Sequence, residues 1–448
     1  MKNVIRRIQH RVGSIAPNII ICLLVAVILA ACRKKDEVHP TVIIQLPSAL
    51  ASFDFGEFLH ITATVSDDQK IETVVLQIIN SNNIAVLAPV HINGNGNKEL
   101  EIETTIEFND VHLESGAYHV QVTASDGENE KNAFREIHLN AAPLILKKIF
   151  LIRKPFSNTT QMDSLDANST WQPAFSLPIG YSEGEINSYH QTMSLAGFDF
   201  DGITTLDASG FQILNTVSTS YDLSDEVFTC TALDQHHHLL YFGGADGKVR
   251  SINQFGIVSR TFELGNNFIP RQLAISNDRL LVYSESFNQQ QLDVFNKNNG
   301  AFLQSLSVDA DNIVALIEKK TGEDFWLVGN DDGDAVAWEY FIDENIIDQF
   351  PTPLQSNEDV LAVCDGLDGI YLAFENSTRF YQETDWLIFS GASGPALAVL
   401  HMQYDPVNDA LFALEENSLH MLNSNASAIV ESFSTPADAA DFLLLYNK

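Results

Sequence analysis

The sequence predicts an all-β chain, and three observations support this prediction. Short runs rich in Val, Ile, Thr, Phe and Tyr recur throughout, separated by the turn residues Asp, Asn and Gly. No convincing helical pattern lies between these runs over residues 41–140. From residue 144 onward, a unit of about forty residues recurs. The 448 residues suffice for two or three domains with sizeable cores.

The beginning of the chain indicates export. Four basic residues precede an apolar run of thirteen residues, Ile19 to Ala31. About 20 apolar residues are needed to span a bilayer, so this run is too short for a membrane helix and is typical of a secretory signal. We therefore predict a signal peptide over residues 1–31.

Small residues lead directly into Cys32, and the segment Leu29–Cys32 resembles the lipobox of bacterial lipoproteins. The resemblance implies cleavage before Cys32 and acylation of its thiol and new amine, which would attach the protein to a membrane. Residues 32–40 would then form a tether. Its segment Arg33–Glu37 resembles the signal that sends lipoproteins of the Bacteroidetes group to the outer face of the outer membrane. The alternatives are an ordinary secretory signal or an uncleaved anchor, followed by a merely solvated tail.

The chain is strongly acidic. It has 25 Lys and Arg against 59 Asp and Glu, a formal net charge of −34. Without residues 1–31, which hold four basic and no acidic groups, 21 basic groups face 59 acidic ones and the charge becomes −38. Nucleic acids and anionic lipid headgroups need a basic surface, so the charge argues against both as partners. It permits cations and basic proteins.

Residues 41–140 predict a β-sandwich, because strand-like runs recur there at short spacing. The clearest runs are Thr41–Ile44, Leu59–Val65, Thr73–Ile78 and Tyr118–Ala124. Two dipeptides, Asn93-Gly94 and Asn95-Gly96, are typical of hairpin turns.

The segment Ser115–Gly127 resembles the penultimate-strand signature of PKD-like and other bacterial Ig-like domains. The resemblance implies an Ig-like sandwich, which we expect to act as a spacer. Asp67, Asp68 and Asp126 could gather at one end of it and bind calcium, as in cadherin-like relatives. The favoured alternative is that they hydrogen-bond their own turns. Residues 141–143 are the predicted linker.

Residues 144–448 repeat a strand–turn–strand pattern around one polar marker. The markers are Asp166, Asp207, Asn253, Asn296, Asp343, Glu383 and Asn423, separated by 40 to 47 residues. A period in the forties with four short strands per unit indicates the blades of a β-propeller, here seven. The pattern resembles the broad WD-repeat, YVTN and PQQ-type propellers.

The two ends of this region predict how the ring closes. Lys148–Ile152 matches a second strand that lacks a first, whereas Asp441–Tyr446 matches a first strand that lacks a partner. Pairing them completes the first blade and removes two open sheet edges. We therefore predict a seven-bladed propeller closed by the C-terminal strand.

Several motifs carry chemistry elsewhere but favour structural roles here. Ser164–Trp171 resembles the Asp box of sialidases, a fold element between third and fourth strands. Gln235–His238 could be a metal tract, although a solvated turn is favoured. Cys230 and Cys364 lie in equivalent strands of different blades, so we favour two buried free thiols over a disulfide.

One asymmetry predicts a ligand face. The loops that join second to third strands, and one blade to the next, are rich in carboxylates. The candidates are Asp199, Asp201, Asp246, Glu285, Asp309, Asp311, Asp331, Asp332, Asp334, Glu358, Asp359, Glu375, Glu415 and Glu416. Such a rim suits a cationic partner or a divalent ion, with Asp331, Asp332 and Asp334 as candidate calcium ligands. The alternative is that turns are rich in aspartate and the whole protein is acidic.

No catalytic residue set or cofactor motif is recognisable. We therefore expect a lipid-anchored binding or scaffold protein of the outer membrane, facing outward, whose propeller engages a protein or glycan partner. The alternative is a carbohydrate-active hydrolase or lyase with its site at the top of the propeller channel. Convergent carboxylates with a basic group in a deep pocket would favour that alternative.

Overall fold

The computed structural model of the protein describes residues 37–156, 158–198, 202–218, 228–265, 267–320, 323–348, 351–355, 357–383 and 388–448. All regular structure in these ranges is β-strand, so the predicted all-β class is confirmed. No helix within them is long and apolar enough to cross a membrane. The predicted signal peptide and Cys32 lie outside the described residues. The chain divides into two compact units, with the boundary between Pro143 and Leu144.

Unit 1 consists of two sheets of strands. The smaller sheet, in the order β1-β3-β6, contains β1 (Thr41–Leu46), β3 (Phe58–Ser66) and β6 (Glu99–Glu107). The larger sheet, in the order β2-β8-β7-β4-β5, contains β2 (Ala51–Asp54), β4 (Thr73–Ile79), β5 (Val90–Asn93), β7 (Gly116–Ser125) and β8 (Glu130–Asn140).

Alternation of buried and exposed residues gives these sheets a shared core. On β3, Ile61 and Val65 are buried while their neighbours along the strand are more exposed. They join Val74 of β4 and Val120 of β7 in one apolar cluster. One core between two sheets is the two-layer arrangement that the strand pattern predicts.

The predicted hairpin at Asn93–Gly96 is wrong. The strand before it, β5, pairs with β4 in one sheet, and the strand after it, β6, pairs with β3 in the other. The segment is therefore a crossover between sheets. Asn95 and Gly96 do adopt the left-handed backbone (φ of 52° and 73°), so the dipeptides predicted the local conformation but not the pairing.

The described residues of unit 2 form seven sheets of antiparallel strands, numbered here in chain order. Sheet 1 is β37-β9-β10-β11: β9 (Leu146–Phe156), β10 (Thr159–Leu165), β11 (Trp171–Leu177) and β37 (Ala439–Tyr446). Sheet 2 is β12 (Tyr181–Asn187), β13 (Thr192–Gly197), β14 (Ile203–Asp207) and β15 (Ile213–Val217). Sheet 3 is β16 (Phe228–Asp234), β17 (Leu239–Gly244), β18 (Lys248–Ile252) and β19 (Val258–Glu263). Sheet 4 is β20 (Ile269–Ile275), β21 (Arg279–Ser286), β22 (Gln289–Asn296) and β23 (Phe302–Val308).

The remaining three sheets repeat the same order. Sheet 5 is β24 (Asn312–Glu318), β25 (Phe325–Asp331), β26 (Asp334–Phe341), β27 (Ile346–Ile347) and β28 (Thr352–Gln355), the last two both pairing with β26. Sheet 6 is β29 (Val360–Asp365), β30 (Gly369–Phe374), β31 (Thr378–Glu383) and β32 (Ile388–Ser393). Sheet 7 is β33 (His401–Asp405), β34 (Ala410–Glu415), β35 (Ser418–Asn423) and β36 (Ile429–Ser434).

The first strands of the sheets, called the inner strands below, form a closed ring of neighbours. Successive contacts join β37 to β12, β12 to β16, β16 to β20, β20 to β24, β24 to β29, β29 to β33 and β33 back to β37. Apolar clusters fill the space between adjacent sheets, as where Leu281 and Tyr283 of sheet 4 pack with Leu327 and Tyr340 of sheet 5. Sheets stacked face to face around an axis are the arrangement of a β-propeller.

The ring closes through the pairing expected from the sequence. The last strand, β37, lies antiparallel to β9, with Leu443 opposite Phe150 and Leu444 opposite Ile149. Phe150 and Leu444 are fully buried. Sheet 1 is thus built from the two ends of unit 2, and β9 has a partner strand on each side.

Five of the seven polar repeat markers accept hydrogen bonds within the turn between third and fourth strands: Asp166, Asp207, Asn253, Asn296 and Asn423. Asp166 accepts hydrogen bonds from the backbone N–H groups of Asn168 and Thr170 at 2.8 and 3.0 Å. Asn253 does the same for Phe255 and Ile257. A side-chain oxygen that caps its own turn explains why Asp or Asn recurs at this position. The Asp-box-like segment is therefore structural, as expected.

Candidate functional site

The predicted carboxylate loops lie at one end of the ring. All inner strands run the same way along the axis, and strands alternate in direction within each sheet. The loops from second to third strands, and from one sheet to the next, therefore emerge where the inner strands begin. We call this end the acidic face. The structure places Asp246, Glu285, Asp309, Asp311, Asp331, Asp332, Asp334, Glu358, Asp359, Glu375, Glu415 and Glu416 on these loops or at the adjoining strand ends, whereas Asp199 and Asp201 lie outside the described residues.

Two arginines partly neutralise the acidic face. Arg250 of β18 pairs with Asp246 at 2.8 Å, and Arg271 of β20 contacts Glu285 at 3.4 Å. The loop sequences alone did not indicate these two arginines, because each lies a few positions inside a strand. The arginines offset charge around sheets 3 and 4.

Asp309, Asp311, Asp331 and Asp332 form a group of neighbouring carboxylates on this face. Burial, then Asp332, Asp311 and Asp309, raise the pKa of Asp331 above its ordinary value. The N–H of Asp332 donates to Asp311 at 2.9 Å. Within the described ranges, none of the four carboxylates forms an ion pair with Lys, Arg or His. The four charges therefore repel each other, and a cation brought beside them would relieve that repulsion.

The calcium hypothesis for Asp331, Asp332 and Asp334 gains no support from the geometry. Asp334 accepts a hydrogen bond from the backbone N–H of Asn357 at 2.7 Å. In the part of the chain that the structure describes, no three His, Cys, Asp or Glu side chains are grouped so that they could hold a metal ion. In unit 1, Asp67 and Asp126 likewise cap their own turns, through the backbone N–H groups of Gln69 and Glu128 among others.

A second group of polar residues lies inside the channel near the acidic face. Tyr181, at the start of β12, donates a hydrogen bond to Asp441 of β37. His401, at the start of β33, places its Nε2 3.4 Å from the other oxygen of Asp441. The ammonium group of Lys154 lies 5.2 Å from the centre of the Tyr181 ring. Three inner strands thus converge on the Asp441 carboxylate, and a cation lies over the ring of Tyr181, which donates to that carboxylate.

Glu185 carries the most perturbed carboxyl group of this channel site. Burial first, then the charges of Glu183 and Asp441, raise the pKa of Glu185 to about 8. Thr231 of the next inner strand donates to it at 3.5 Å. A carboxyl group that keeps its proton near neutral pH can donate a hydrogen bond or a proton to a bound molecule.

The histidine tract is structural. The backbone N–H groups of His236 and His237 donate to Asp234, and the His237 ring lies 3.1 Å from the same carboxylate. Lys297 of sheet 4 pairs with Asp234 at 2.8 Å, and both side chains are almost fully buried. The tract therefore fixes a buried ion pair between sheets 3 and 4, in agreement with the favoured reading of a turn.

Both cysteines of unit 2 are free thiols, as expected. Cys230 is buried, whereas Cys364 is only partly buried, so the predicted burial is correct for the first alone. Burial raises the pKa of the Cys230 thiol, which keeps it protonated and unreactive. Burial also raises the pKa of Cys364, to about 12.

Comparisons with known proteins show the fold alone. A crystal structure of a protein from Lactobacillus plantarum matches at a TM-score of 0.52 and 14% identity, covering 68% of this chain and 100% of that one. A functionally unknown protein from Desulfotomaculum acetoxidans matches at a TM-score of 0.51 and 10% identity, covering 67% and 99%. The Cps50 (Swd1) β-propeller domain of Myceliophteria thermophila matches at a TM-score of 0.46 and 8% identity, covering 57% and 86%. No protein-family model matches the chain, and no curated protein does.

Sequence reasoning missed the channel site. The strand Tyr181–Asn187 carries two glutamates and no apolar run, so it did not stand out as a strand. The repeat itself could have predicted this strand. In the other sheets an inner strand precedes the second strand at a regular spacing, so one is expected before Thr192–Gly197.

Proposed function

We propose that the protein is a lipid-anchored binding or scaffold protein of the cell envelope that engages a basic partner through the acidic face. In this proposal each of the seven sheets is one blade of the propeller, and unit 1 is an Ig-like spacer. The lipid on Cys32 holds the chain at the outer membrane, facing outward.

The observation that carries the proposal is the unpaired charge at Asp309, Asp311, Asp331 and Asp332. Around sheets 3 and 4 the carboxylates have arginine partners, whereas these four have no ion-pair partner in the described chain. A partner presenting Lys or Arg would supply the missing positive charge and would be steered toward this end of the ring. The absence of a grouped metal-ligand set among the described residues favours a basic protein surface over a single divalent ion.

The test is a charge-neutralised variant with a matched control. In the variant, Asp309, Asp311, Asp331 and Asp332 are each changed to Asn; in the control, Glu99, Glu101, Glu103 and Glu107 of β6 are each changed to Gln. A lysine-rich peptide is titrated by calorimetry at low and at physiological salt. We expect the face variant to bind about tenfold more weakly, the control to bind nearly as the wild type does, and salt to weaken wild-type binding.

Equal losses in the face variant and the control would mean that net charge alone attracts the peptide, and the proposed face would be wrong. A parallel titration with calcium alone separates the metal hypothesis. If calcium binding releases or absorbs heat in the wild type and this heat is absent in the face variant, the acidic face would be a calcium site instead.

A carbohydrate-active hydrolase is the second candidate, and Glu185 favours it. Burial and the charges of Glu183 and Asp441 raise the pKa of Glu185 to about 8, which suits a general acid. The test is hydrolysis of chromogenic glycosides by the wild type and by Glu185→Gln. Turnover that the substitution abolishes would support the enzyme, whereas no turnover on any substrate would favour the binding role.

A further inference from the structure

The far end of the channel contains a cavity that the proposed function does not use. Its volume is about 430 Å³, and it lies where the inner strands end, opposite the acidic face. Sheets 1, 2, 3, 6 and 7 all contribute to its wall, so it sits on the axis of the ring. Pockets for small ligands typically measure ~300–1,000 Å³, and this cavity falls within that range.

The polar part of the cavity wall consists of groups that hydrogen-bond to hydroxyls. Ser188, Gln235, Gln403 and the two tyrosines Tyr404 and Tyr446 all line it. Amide and hydroxyl side chains both donate and accept, so they can pair with a ligand that carries several hydroxyl groups. Beside them, apolar residues such as Ile186 and Leu444 give the wall an apolar side.

Hydrogen bonds and a stacking contact hold the rings of Tyr404 and Tyr446 in place. The Tyr446 hydroxyl donates to Asp405 at 3.1 Å, and the Tyr404 hydroxyl donates to Asp409 at 2.7 Å. Tyr404 also stacks on Tyr371 with ring centres 5.7 Å apart. Rings fixed in this way offer apolar surface to a ligand without a further loss of side-chain freedom on binding.

Gln403 points to a missing partner. Its carbonyl oxygen is buried and accepts no hydrogen bond from the described part of the chain. A buried acceptor without a donor is unfavourable. Rotation of this amide toward the cavity would let a ligand hydroxyl supply the missing donor, which makes Gln403 the residue expected to contribute most to binding.

The charge of the wall selects a neutral ligand. Asp365 is its carboxylate, and Lys320 pairs with that group at 2.6 Å. Lys448 also lines the cavity. The charged side chains of the wall are therefore a neutralised carboxylate and a single lysine, which do not form a cation-binding cage or a phosphate-binding cluster.

We propose that this cavity binds a neutral carbohydrate of one or two rings, with Gln403 and Gln235 as hydrogen-bonding residues and Tyr404 and Tyr446 as ring platforms. The site goes beyond the proposed function. It uses the opposite end of the ring, and it requires neither the acidic face nor the channel carboxylates.

The test is calorimetric titration of the full chain in a detergent without a sugar headgroup. The probes are glucose, galactose, mannose, N-acetylglucosamine, cellobiose, lactose and maltose. We expect saturable binding of at least one sugar, weakened about tenfold by Gln403→Leu and weakened measurably by Gln235→Ala. Gln382→Ala, an exposed glutamine on β31 away from the cavity, should bind as the wild type does.

Three results would overturn the proposal: no saturable heat with any of the sugars, equal binding by all three variants, or binding of tetramethylammonium or inorganic phosphate in place of sugar. If Gln403→Leu does not fold, as judged by thermal melting, the pair Gln235→Ala and Gln382→Ala decides. Because the peptide titration of the acidic face uses different residues, failure of one experiment leaves the other interpretable.

Discussion

The hydroxyl of Tyr181 donates a hydrogen bond to the carboxylate of Asp441, 260 positions later in the chain. The bond joins the inner strands of sheets 2 and 1, next to the pairing of β37 with β9. Both side chains are buried, and burial followed by the charge of Asp441 raises the pKa of Tyr181 well above its ordinary value. The tyrosine therefore remains a donor at neutral pH. The place where the ring closes, between sheets 1 and 2, thus has a hydrogen bond in addition to its apolar core.

Tyr181→Phe should lower the free energy of unfolding by about 1–3 kcal/mol, because it leaves Asp441 buried with one donor fewer. Urea denaturation followed by circular dichroism measures the change. Tyr189→Phe is the control, because Tyr189 is 38% exposed and water can replace any partner its hydroxyl loses, so this variant should lose less stability than Tyr181→Phe. Similar losses of unfolding free energy in the two variants would mean that the hydrogen bond from Tyr181 to Asp441 adds no specific stability to ring closure.

Leu444→Ala should destabilise unit 2 by about 2–5 kcal/mol, because it opens a cavity at a fully buried position of β37. Val430→Ala on β36 is the matched control. Val430 is 61% exposed, so this substitution removes apolar atoms from the surface and leaves no cavity. Thermal melting of both variants is the measurement. A control as damaging as Leu444→Ala would contradict the packing of β37 against its neighbours.

Glu185→Gln should change how stability depends on pH. Burial and the charges of Glu183 and Asp441 raise the pKa of Glu185 from 4.5 to about 8. The folded state therefore binds a proton that the unfolded state has lost, and the wild type loses stability as pH rises from about 4.5 to about 8. The amide cannot ionise, so the variant should gain stability relative to the wild type across this window.

Urea denaturation at pH 5, 6.5 and 8 measures that difference. Glu263→Gln serves as the control, because Glu263 is exposed on β19 and its partner Lys248 lowers its pKa. The control should show no gain with rising pH. A constant difference between Glu185→Gln and the wild type at the three pH values would mean that Glu185 ionises normally in the folded protein.

Lys297→Met should cost about 3–5 kcal/mol of stability, because it leaves the buried carboxylate of Asp234 without its ammonium partner. Changing Asp234 to Asn in the same chain removes the orphaned charge, so the double variant should recover part of the loss. Chemical denaturation of the two single variants and the double variant measures the coupling. Strictly additive effects would show that the two groups do not stabilise each other.

Cys32→Ser should convert the protein from a membrane-bound to a released form, because serine has no thiol to acylate. Cell fractionation followed by immunoblotting gives the distribution, and circular dichroism of the released protein checks that it is folded. Cys364→Ser, within the propeller, should remain with the membrane fraction. Membrane retention of Cys32→Ser would refute the lipid anchor.

Local sequence signals predicted most of the fold. Turn residues such as Asp166 and Asn253 act within a few positions, so their recurrence was visible before any contact was known. Closure was also predictable, because the strands around Phe150 and Leu443 each lacked a partner. The crossover at Asn93–Gly96 was not, because a turn dipeptide specifies the backbone conformation but not which sheet the next strand joins.

Neither the channel site nor the cavity could be predicted from the sequence. Tyr181 and Asp441 are neighbours only because the ring closes, and the raised pKa of Glu185 depends on burial by strands from several sheets. Gln403 is one glutamine among many until the structure shows that its oxygen lacks a donor. Such groupings follow from the order of sheets around the axis, which no local pattern contains.

The pairing of β37 with β9 sets a condition on biosynthesis. Sheets 2 to 7 are each made of consecutive strands and can form from neighbouring segments of the chain, whereas sheet 1 must wait for the eight residues Ala439–Tyr446. Until then β9 presents unpaired N–H and C=O groups that can recruit another chain. A truncated product would thus remain open and prone to aggregation, which distinguishes it from the finished molecule for the proteases that remove incomplete chains.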